Sequence, residues 1–484
     1  MSSTYPGSDF DSVWRELTFP ADYTNPAPQP RYHLVVIGAG SAGLISAIGA
    51  AGLGAKVALV EREAMGGDCL NVGCVPSKAL LEYTRRHEAP VSFDDAFRWL
   101  RQVRSEIARH DSVARYCEAG VDVFLGEARL ENDRTVAVGD QALSARRIVI
   151  ATGARAAIPP IPGIEGCSPL TNESLFDLRS PPKRLAILGG GAIGCEMAQA
   201  FARLGVNVEL IEMAGRVLPL EEEEASSAVA AALRAAGVAV HTGGAVSGVS
   251  SQAATVTLRL PGAQVTADRL LVAAGRRANI EGLGLEAAGV ETAHGLIEVD
   301  DRLRTSNQRI FAAGDVCSRH QFTHNADAQA RIVVQNALFA PTASAAKLVV
   351  PHCTYTRPEV AQIGSRRADL AERQVAYDVY RVEFGELDRS RAAGDEDGYA
   401  EVLTRRGGDA ILGATLVGHD AGEQISGLCI AIAHGIGLGG LGKAVLPYPT
   451  RAEYLRRLSD AYNRTRLTPR AKRLMARWFR WSAS

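Results

Sequence analysis

Two segments of this chain carry the same device in the same register, and that repeat restricts the fold more than any other feature. Residues 34 to 43, Leu-Val-Val-Ile-Gly-Ala-Gly-Ser-Ala-Gly, are an apolar run ending in a G-x-G-x-x-G turn with Gly38, Gly40 and Gly43. An Ala-rich segment, Ser46 to Ala51, follows, and then a second apolar run, Lys56 to Val60, closed by Glu61. Residues 185 to 212 repeat the order: Leu-Ala-Ile-Leu, then Gly189, Gly191 and Gly194, an Ala-rich stretch, and Asn207 to Ile211 closed by Glu212. Both copies put 23 positions between the first glycine and the glutamate.

Each copy reads as strand, tight turn, helix and strand. The glycines let the backbone turn sharply and approach a pyrophosphate, whose charge then sits over the unpaired N–H groups at the helix start. The glutamate at the end of the second strand is placed to accept hydrogen bonds from a ribose 2′-hydroxyl. A single G-x-G-x-x-G also serves turns that bind nothing, but two in-register copies, each with strand, helix and acid, argue against that reading. The chain is expected to bind two dinucleotides, and at 484 residues it exceeds one ordinary core, so two or three domains are expected.

Just after the first device, residues 66 to 78 read Gly-Gly-Asp-Cys-Leu-Asn-Val-Gly-Cys-Val-Pro-Ser-Lys, with Cys69 and Cys74 about one helical turn apart. Such a pair serves as half of a metal site, a structural disulfide or a redox dithiol. A plant-type iron–sulfur run needs another cysteine three positions after Cys74, where Ser77 stands. Zinc needs two further ligands at short spacing, and the other cysteines and the histidines are scattered singly, so no resident metal is expected. The first thirty residues have no basic start and no apolar h-region, and no apolar run is long enough to span a bilayer. A cytoplasmic location is expected from this, and there a CxxxxC pair is more often catalytic than structural.

The first Gly-rich turn, the C-L-N-V-G-C-V-P-S-K segment, Ala151-Thr152-Gly153, the second Gly-rich turn, Ala274-Gly275-Arg276 and Phe311-Ala312-Ala313-Gly314-Asp315 occur in the order found in flavoprotein disulfide reductases. The chain resembles that family, which includes dihydrolipoamide dehydrogenase, glutathione reductase and mercuric reductase, from about Arg31 to about Tyr462. The resemblance implies an α/β protein with two Rossmann-like dinucleotide-binding domains and a C-terminal α+β dimerisation domain. Its parts would be an N-terminal extension (1–30), an FAD domain in two pieces (31–170 and 299–342), a nicotinamide domain (171–298), the dimerisation domain (348–462) and a basic tail (463–484). FAD, NADH or NADPH, and a homodimer in which each subunit completes its partner's site are implied as well.

By the same resemblance, Cys69 and Cys74 are the redox pair, with Cys74 next to the flavin and Cys69 the outer thiol that meets the acceptor. A helix start at these cysteines favours their thiolates. Lys78 pairs with Glu196 near the flavin, Asp315 holds the ribityl chain, Glu61 holds the adenosine ribose, and Gly67, Thr152, Gly153, Gly275 and Gly314 belong to the cofactor-binding backbone. Glu212 accepts from a free 2′-hydroxyl and repels a 2′-phosphate, favouring NADH, while Arg216 four residues on could accommodate that phosphate.

The chain departs from its disulfide-reducing relatives near the C-terminus. Where they carry His-Pro-Thr-x-x-Glu, this chain has Tyr448-Pro449-Thr450-Arg451-Ala452-Glu453. A phenol with a pKa of about 10 is a poor base at neutral pH. Thr450 and Glu453 read equally as a capping box, T-x-x-E. Tyrosine here, with the Gly-Gly-Asp-Cys entry and Cys353-Thr-Tyr-Thr, resembles the mercuric reductase branch, whose thiol-bound metal substrate needs no proton on a leaving sulfur. The C-terminal vicinal cysteines of mercuric reductase proper are missing, since no cysteine follows Cys429, and Cys353 is read as packing rather than as an auxiliary metal thiol. The expected acceptor is a thiol-bound metal ion such as Hg(II), or another thiol or disulfide. A lipoamide-type disulfide reductase and a membrane-docked flavin redox sensor are the alternatives.

From Leu455 to Ser484 nine basic residues face one acid, Asp460. Arg470, Arg473, Arg477 and Arg480 recur at helical spacing beside a stripe of Leu474, Met475, Trp478 and Trp481. Such a helix suits an anionic membrane surface, while packing of the stripe on the chain's own body or on the dimer partner is the plainer expectation. Nothing else points to nucleic acid, and no such partner is expected.

Overall fold

The apolar runs that flank the Gly-rich turns become the central strands of two parallel sheets. The computed structural model of the chain describes residues 10–252 and 255–483, so Met1 to Asp9 of the extension and Ser484 of the tail lie outside the described residues. Two compact units emerge, the first comprising Met1–Gly190, Met197–Met213 and Gly237–Leu348, the second Gly191–Glu196, Ala214–Ala236 and Val349–Ser484.

The first unit opens with helix α1 (Phe10–Thr18), followed by β1 (Tyr32–Ile37), α2 (Ser41–Gly52), β2 (Val57–Glu61), α3 (Gly67–Asn71), α4 (Cys74–Arg86), α5 (Phe93–Ala108) and β3 (Val121–Leu125). β3, β2, β1 and the strand Gln141–Ile150 lie side by side, and Ile310–Ala312 adds in parallel beyond the last of these. Leu34 to Val36 and Val57 to Val60 are buried along their whole length, the pattern of parallel strands covered on both faces. The helix Thr323–Leu338 packs against α2, whose Ala and Gly residues let the two helices approach closely.

The second device builds its own sheet in the same unit. Ala239–Thr242, Asn207–Glu212, Arg184–Leu188 and Arg269–Val272 pair in that order, all parallel. A three-stranded antiparallel sheet, Gly248–Gln252, Thr255–Leu260 and Ala263–Ala267, shares a buried core with it.

The second unit is built on a five-stranded antiparallel sheet ordered His352–Thr354, Glu359–Gly364, Ile411–Gly418, Tyr399–Arg405, Tyr377–Glu383. Two short helices, Ala421–Gln424 and Ser426–Ala433, follow the strand Ile411–Gly418. Leu428 joins Leu455, Leu458 and Tyr462 of the helix Glu453–Thr465 in the core over the sheet. Together the two units give the expected α/β class, with dinucleotide-type parallel sheets and an α+β C-terminal part.

The tail forms a separate helix, Pro469–Ser482, started by Thr468, whose hydroxyl accepts from the Ala471 N–H at 3.2 Å. None of its residues is buried. Packing of its apolar stripe on the chain's own body is therefore not what the structure shows, because the break at residues 466–468 starts the helix anew, beyond the core that holds Tyr462.

Candidate active site

The two Gly-rich turns use one geometry. At each, the first glycine abuts the end of a neighbouring strand: a Cβ on Gly38 would lie 2.4 Å from the Ala151 carbonyl oxygen, and one on Gly189 2.4 Å from that of Ala273. Only glycine tolerates this approach, and both adopt positive φ. At each, the terminal glutamate turns back onto the turn. Glu61 Oε2 accepts the Ala39 N–H at 2.7 Å, and Glu212 Oε2 accepts the Gly190 N–H at 2.6 Å. Both acids thus brace the turn. Burial pushes the Glu61 carboxyl up, opposed by the N–H groups of Glu63 and Ala39.

A cavity of about 1240 Å³ opens beside the first turn, lined by Gly38, Glu61, Glu127, Arg129, Thr152 and Asn279 among others. α2 begins behind Gly40, which has no side chain to cap it, and its first turn has no acid, so its leading N–H groups remain available for a phosphate. Thr152 and Asn279 are stitched together, Thr152 Oγ1 donating to the Asn279 carbonyl at 2.7 Å and Asn279 Nδ2 to the Thr152 carbonyl at 2.9 Å. The size, the bare N–H groups and the braced glutamate fit a flavin dinucleotide.

The thiol segment is fastened to this turn. The Gly66 N–H donates to the Ala39 carbonyl at 2.9 Å, and a Cβ on Gly67, which has φ +57°, would fall 2.5 Å from the Gly40 Cα. Any side chain at Gly67 would push the cysteines off the turn. Cys69 lies within α3, while Cys74 is the first residue of α4 behind an uncapping Gly73. Cys74 is exposed and Cys69 half-buried. Thr323 stands 3.5 Å from Cys74 Sγ.

The expectation that helix starts favour both thiolates needs correcting for Cys69. Its hydrogen bond with Cys74 and its burial push its pKa up, outweighing the help from Thr323. The α4 terminus acts on Cys74, which occupies its first position.

Three charged residues cluster beside the thiols. Arg276 pairs with Asp68, lies 3.5 Å from Asp315 and donates to the Ala154 carbonyl at 2.7 Å. Burial raises Asp315 to about 6, with Arg276 pulling the other way. Asp68 and Arg276 were visible in motifs but had no assigned partner, because 208 residues separate them. Gly275 and Gly314 adopt positive φ on the approaches to this cluster, and the Gly314 N–H donates to Gln329 Oε1 at 2.8 Å. Lys78 follows Cys74 by one turn of α4.

In the second unit, Glu196 Oε1 accepts the Tyr355 N–H at 2.9 Å. Tyr448 is exposed, and its hydroxyl donates to Asp388 Oδ2 at 2.7 Å, a partner that sequence reading did not find. This bond with Asp388 raises the phenol's pKa. The capping box is not formed: the helix begins only at Glu453, Thr450 Oγ1 donates to the Pro447 carbonyl at 2.8 Å, and Glu453 pairs with Arg457 at 2.8 Å. Cys353 packs at the edge of the core, 4.0 Å from Glu359. Among the described residues, no group of three or more His, Cys, Asp or Glu is placed to hold a metal ion.

A chain that fastens a thiol pair to one dinucleotide-binding turn, and carries a second such turn, falls among the enzymes that move electrons between nicotinamide, flavin and thiols. Comparison with known proteins narrows this. Residues 32–330 match the family described as pyridine nucleotide-disulphide oxidoreductase, and residues 350–459 match its dimerisation domain. This chain belongs to that family, the flavoprotein disulfide reductases. Similar relatives include a dihydrolipoyl dehydrogenase of Chlorobaculum tepidum, 35% identical over 88% of this chain and 96% of that one. A mercuric reductase of Streptomyces lividans is 33% identical over 89% and 96%. Among solved structures, the Cu(II) complex of the HOCl-induced flavoprotein disulfide reductase RclA from Escherichia coli has a TM-score of 0.82 and 29% identity, covering 90% of this chain and all of that one. The enzyme is an FAD- and NAD(P)H-dependent oxidoreductase, and its dimerisation domain makes it a homodimer. No helix among the described residues is long and apolar enough to cross a membrane.

Proposed function

We propose that this enzyme passes two electrons from reduced nicotinamide, through FAD and the Cys69–Cys74 pair, to thiol-bound metal, one Hg(II) ion or two Cu(II) ions per turnover. FAD, when bound, would supply the redox chemistry that links hydride from reduced nicotinamide to two-electron reduction of the Cys69–Cys74 disulfide. The glycines of both turns and the N–H groups behind them hold the two pyrophosphates, Glu61 and Glu212 hold the riboses, and Asp315, steadied by Arg276, holds the ribityl chain. Glu212 favours NADH. Arg216 is engaged with the carbonyls of Pro219 and Glu221, at 3.2 and 2.9 Å, rather than free for a phosphate.

Cys74 serves as the flavin-side thiol and Cys69 as the outer one, with Lys78 at the flavin edge. The Cys69–Cys74 hydrogen bond keeps one proton between the two sulfurs, and metal binding displaces it. With the metal held by thiolates, the pair gives up two electrons, taking one Hg(II) to Hg(0) or two Cu(II) to Cu(I), and Cys69 and Cys74 are left as the disulfide for the next reduction. Glu453 and Tyr448, from the partner subunit's dimerisation domain, close the acceptor side.

The observation that carries this reading is the Tyr448–Asp388 bond. Asp388 keeps the phenol protonated, so position 448 is a hydrogen-bond donor and not a base. A disulfide substrate needs a proton for its leaving thiolate, whereas a metal ion does not. The mercuric reductase relatives and the Cu(II)-bound RclA structure support the same acceptor class. The test is anaerobic reduction with NADH, followed by mixing with Hg(II) or Cu(II) thiol complexes or with lipoamide, while the thiolate-to-flavin absorbance is followed. Turnover with the metal and not with lipoamide is expected, and Cys69→Ser should abolish it while leaving flavin reduction by NADH intact. Turnover with lipoamide alone would place the enzyme with the dihydrolipoyl dehydrogenases instead.

A further inference from the structure

The C-terminal helix Pro469–Ser482 leaves Leu474, Met475, Trp478, Phe479 and Trp481 exposed, at 69, 46, 59, 65 and 70%. At 3.6 residues per turn these five fall on an arc of roughly 160°. Arg470, Lys472, Arg473, Arg477 and Arg480 fill the rest of the circumference, and the helix contains no acid. Trp478 and Trp481 sit with ring centroids 5.1 Å apart on the apolar side. A globular protein seldom leaves five bulky side chains of one helix in water without an occupant for them.

We propose that this helix docks in the plane of an anionic lipid bilayer surface. Its 14 residues rise about 21 Å, short of the roughly 30 Å hydrocarbon core, so it lies on the membrane and does not cross it. An anionic interface offers the two things the helix lacks: an acyl boundary for the Leu, Met, Trp and Phe side chains, and phosphates for the five cations. Tryptophans favour that boundary. A second copy of the helix suits the face less well, because a two-fold contact would set five cations against five. The charge is confined to this end of the chain: nine basic residues face one acid from Leu455 on, in a protein of net charge −1. The enzyme would meet the surface tail first.

The test uses the full-length, FAD-loaded enzyme and flotation with vesicles of phosphatidylcholine alone or mixed about equally with phosphatidylglycerol. At low salt the enzyme should float with the anionic vesicles at least ~10-fold more than with the neutral ones. About 0.5 M salt should weaken this, since screening then acts over a few ångströms. Leu474→Ala with Trp478→Ala, and separately Arg473→Gln with Arg477→Gln, should each cut flotation several-fold while NADH-driven flavin reduction stays unchanged. Two of the four tryptophans lie in this helix, so a blue shift of emission on anionic vesicles, lost in the Trp478 variant, reports insertion directly. Equal partitioning to both vesicle types, or none to either, overturns the proposal. If the Leu474/Trp478 variant instead turns dimer into monomer in sedimentation while lipid has no effect, the face belongs to the second subunit.

Discussion

Trp14 Nε1 donates a 2.8 Å hydrogen bond to Asn71 Oδ1, tying the N-terminal extension to the loop that carries the redox cysteines. The same side chain lies 4.0 Å below the Arg104 guanidinium, which donates to the Asn71 carbonyl at 3.1 Å and to Asp11 at 2.9 Å. Asp11 also meets Arg101 at 3.3 Å, and both arginines are fully buried. α1 thus supplies the counter-charge for two buried cations directly behind α3. Asp11→Ala is expected to cost about 3 kcal/mol of unfolding free energy, because it strands buried charge. Trp14→Phe should cost about 1 kcal/mol, the loss of one hydrogen bond. In both variants acceptor reduction should slow more than flavin reduction by NADH, measured by stopped flow. A change below ~0.5 kcal/mol for Asp11→Ala would show that α1 does not carry this load.

The Asp388–Tyr448 pair predicts a pH effect of definite sign. Asp388 raises the phenol's pKa, so Tyr448 stays protonated further into alkaline solution than a free tyrosine. If the hydroxyl is needed as a donor, acceptor turnover falls only where the phenol ionises. Asp388→Asn should move this alkaline limb to lower pH. Tyr448→Phe should remove the limb and lower turnover ~10-fold or more, the scale of one lost hydrogen bond to a charged group, with flavin reduction unaffected. An unchanged limb in Asp388→Asn would assign it to another group.

The brace from Glu212 to the Gly190 N–H bears on nicotinamide choice. Glu212→Gln keeps an acceptor for that N–H and removes the negative charge. Two unit charges about 4 Å apart in water-like surroundings repel by about 1 kcal/mol. The ratio of kcat/KM for NADPH over NADH should therefore rise several-fold. A ratio that does not move would mean the 2′-position is read elsewhere.

What was legible in the sequence was local. Each Gly-rich device completes its geometry within some 25 residues, and Ala39–Glu61 and Gly190–Glu212 close over the same separation of 22, so the repeat could be read directly. The thiol segment and the tail stripe were legible for the same reason. Pairings across long separations were not. Trp14 meets Asn71 across 57 residues, Tyr448 meets Asp388 across 60 and Arg276 meets Asp68 across 208. Nothing in the spacing marks those partners. The capping-box reading failed differently: the T-x-x-E spacing was right, but the chain enters the helix only at Glu453, where the carboxylate serves Arg457 four residues on.

Asp315 yields a test of the buried cluster through stability. Burial raises its carboxyl from its usual 3.8 to about 6, with Arg276 opposing and Asp68 and Cys74 adding to the rise. The folded state therefore holds a proton that the unfolded chain has released between those values. Stability falls as pH rises through that window, and the cost of the ionised, buried carboxylate is fully present above about pH 6. A shift of this size corresponds to about 3 kcal/mol. In FAD-free protein, Asp315→Asn should gain stability over the wild type as pH climbs from 4 to 7, read as the difference in urea midpoints at each pH. With FAD restored the order should reverse, since the amide is a weaker acceptor for the ribityl hydroxyls and loses the charge that steadies Arg276. A wild-type-minus-variant difference that stays flat from pH 4 to 7 would mean the carboxylate is paired well enough with Arg276 to ionise normally. The cluster would then be a simple salt bridge rather than a strained acceptor awaiting its cofactor.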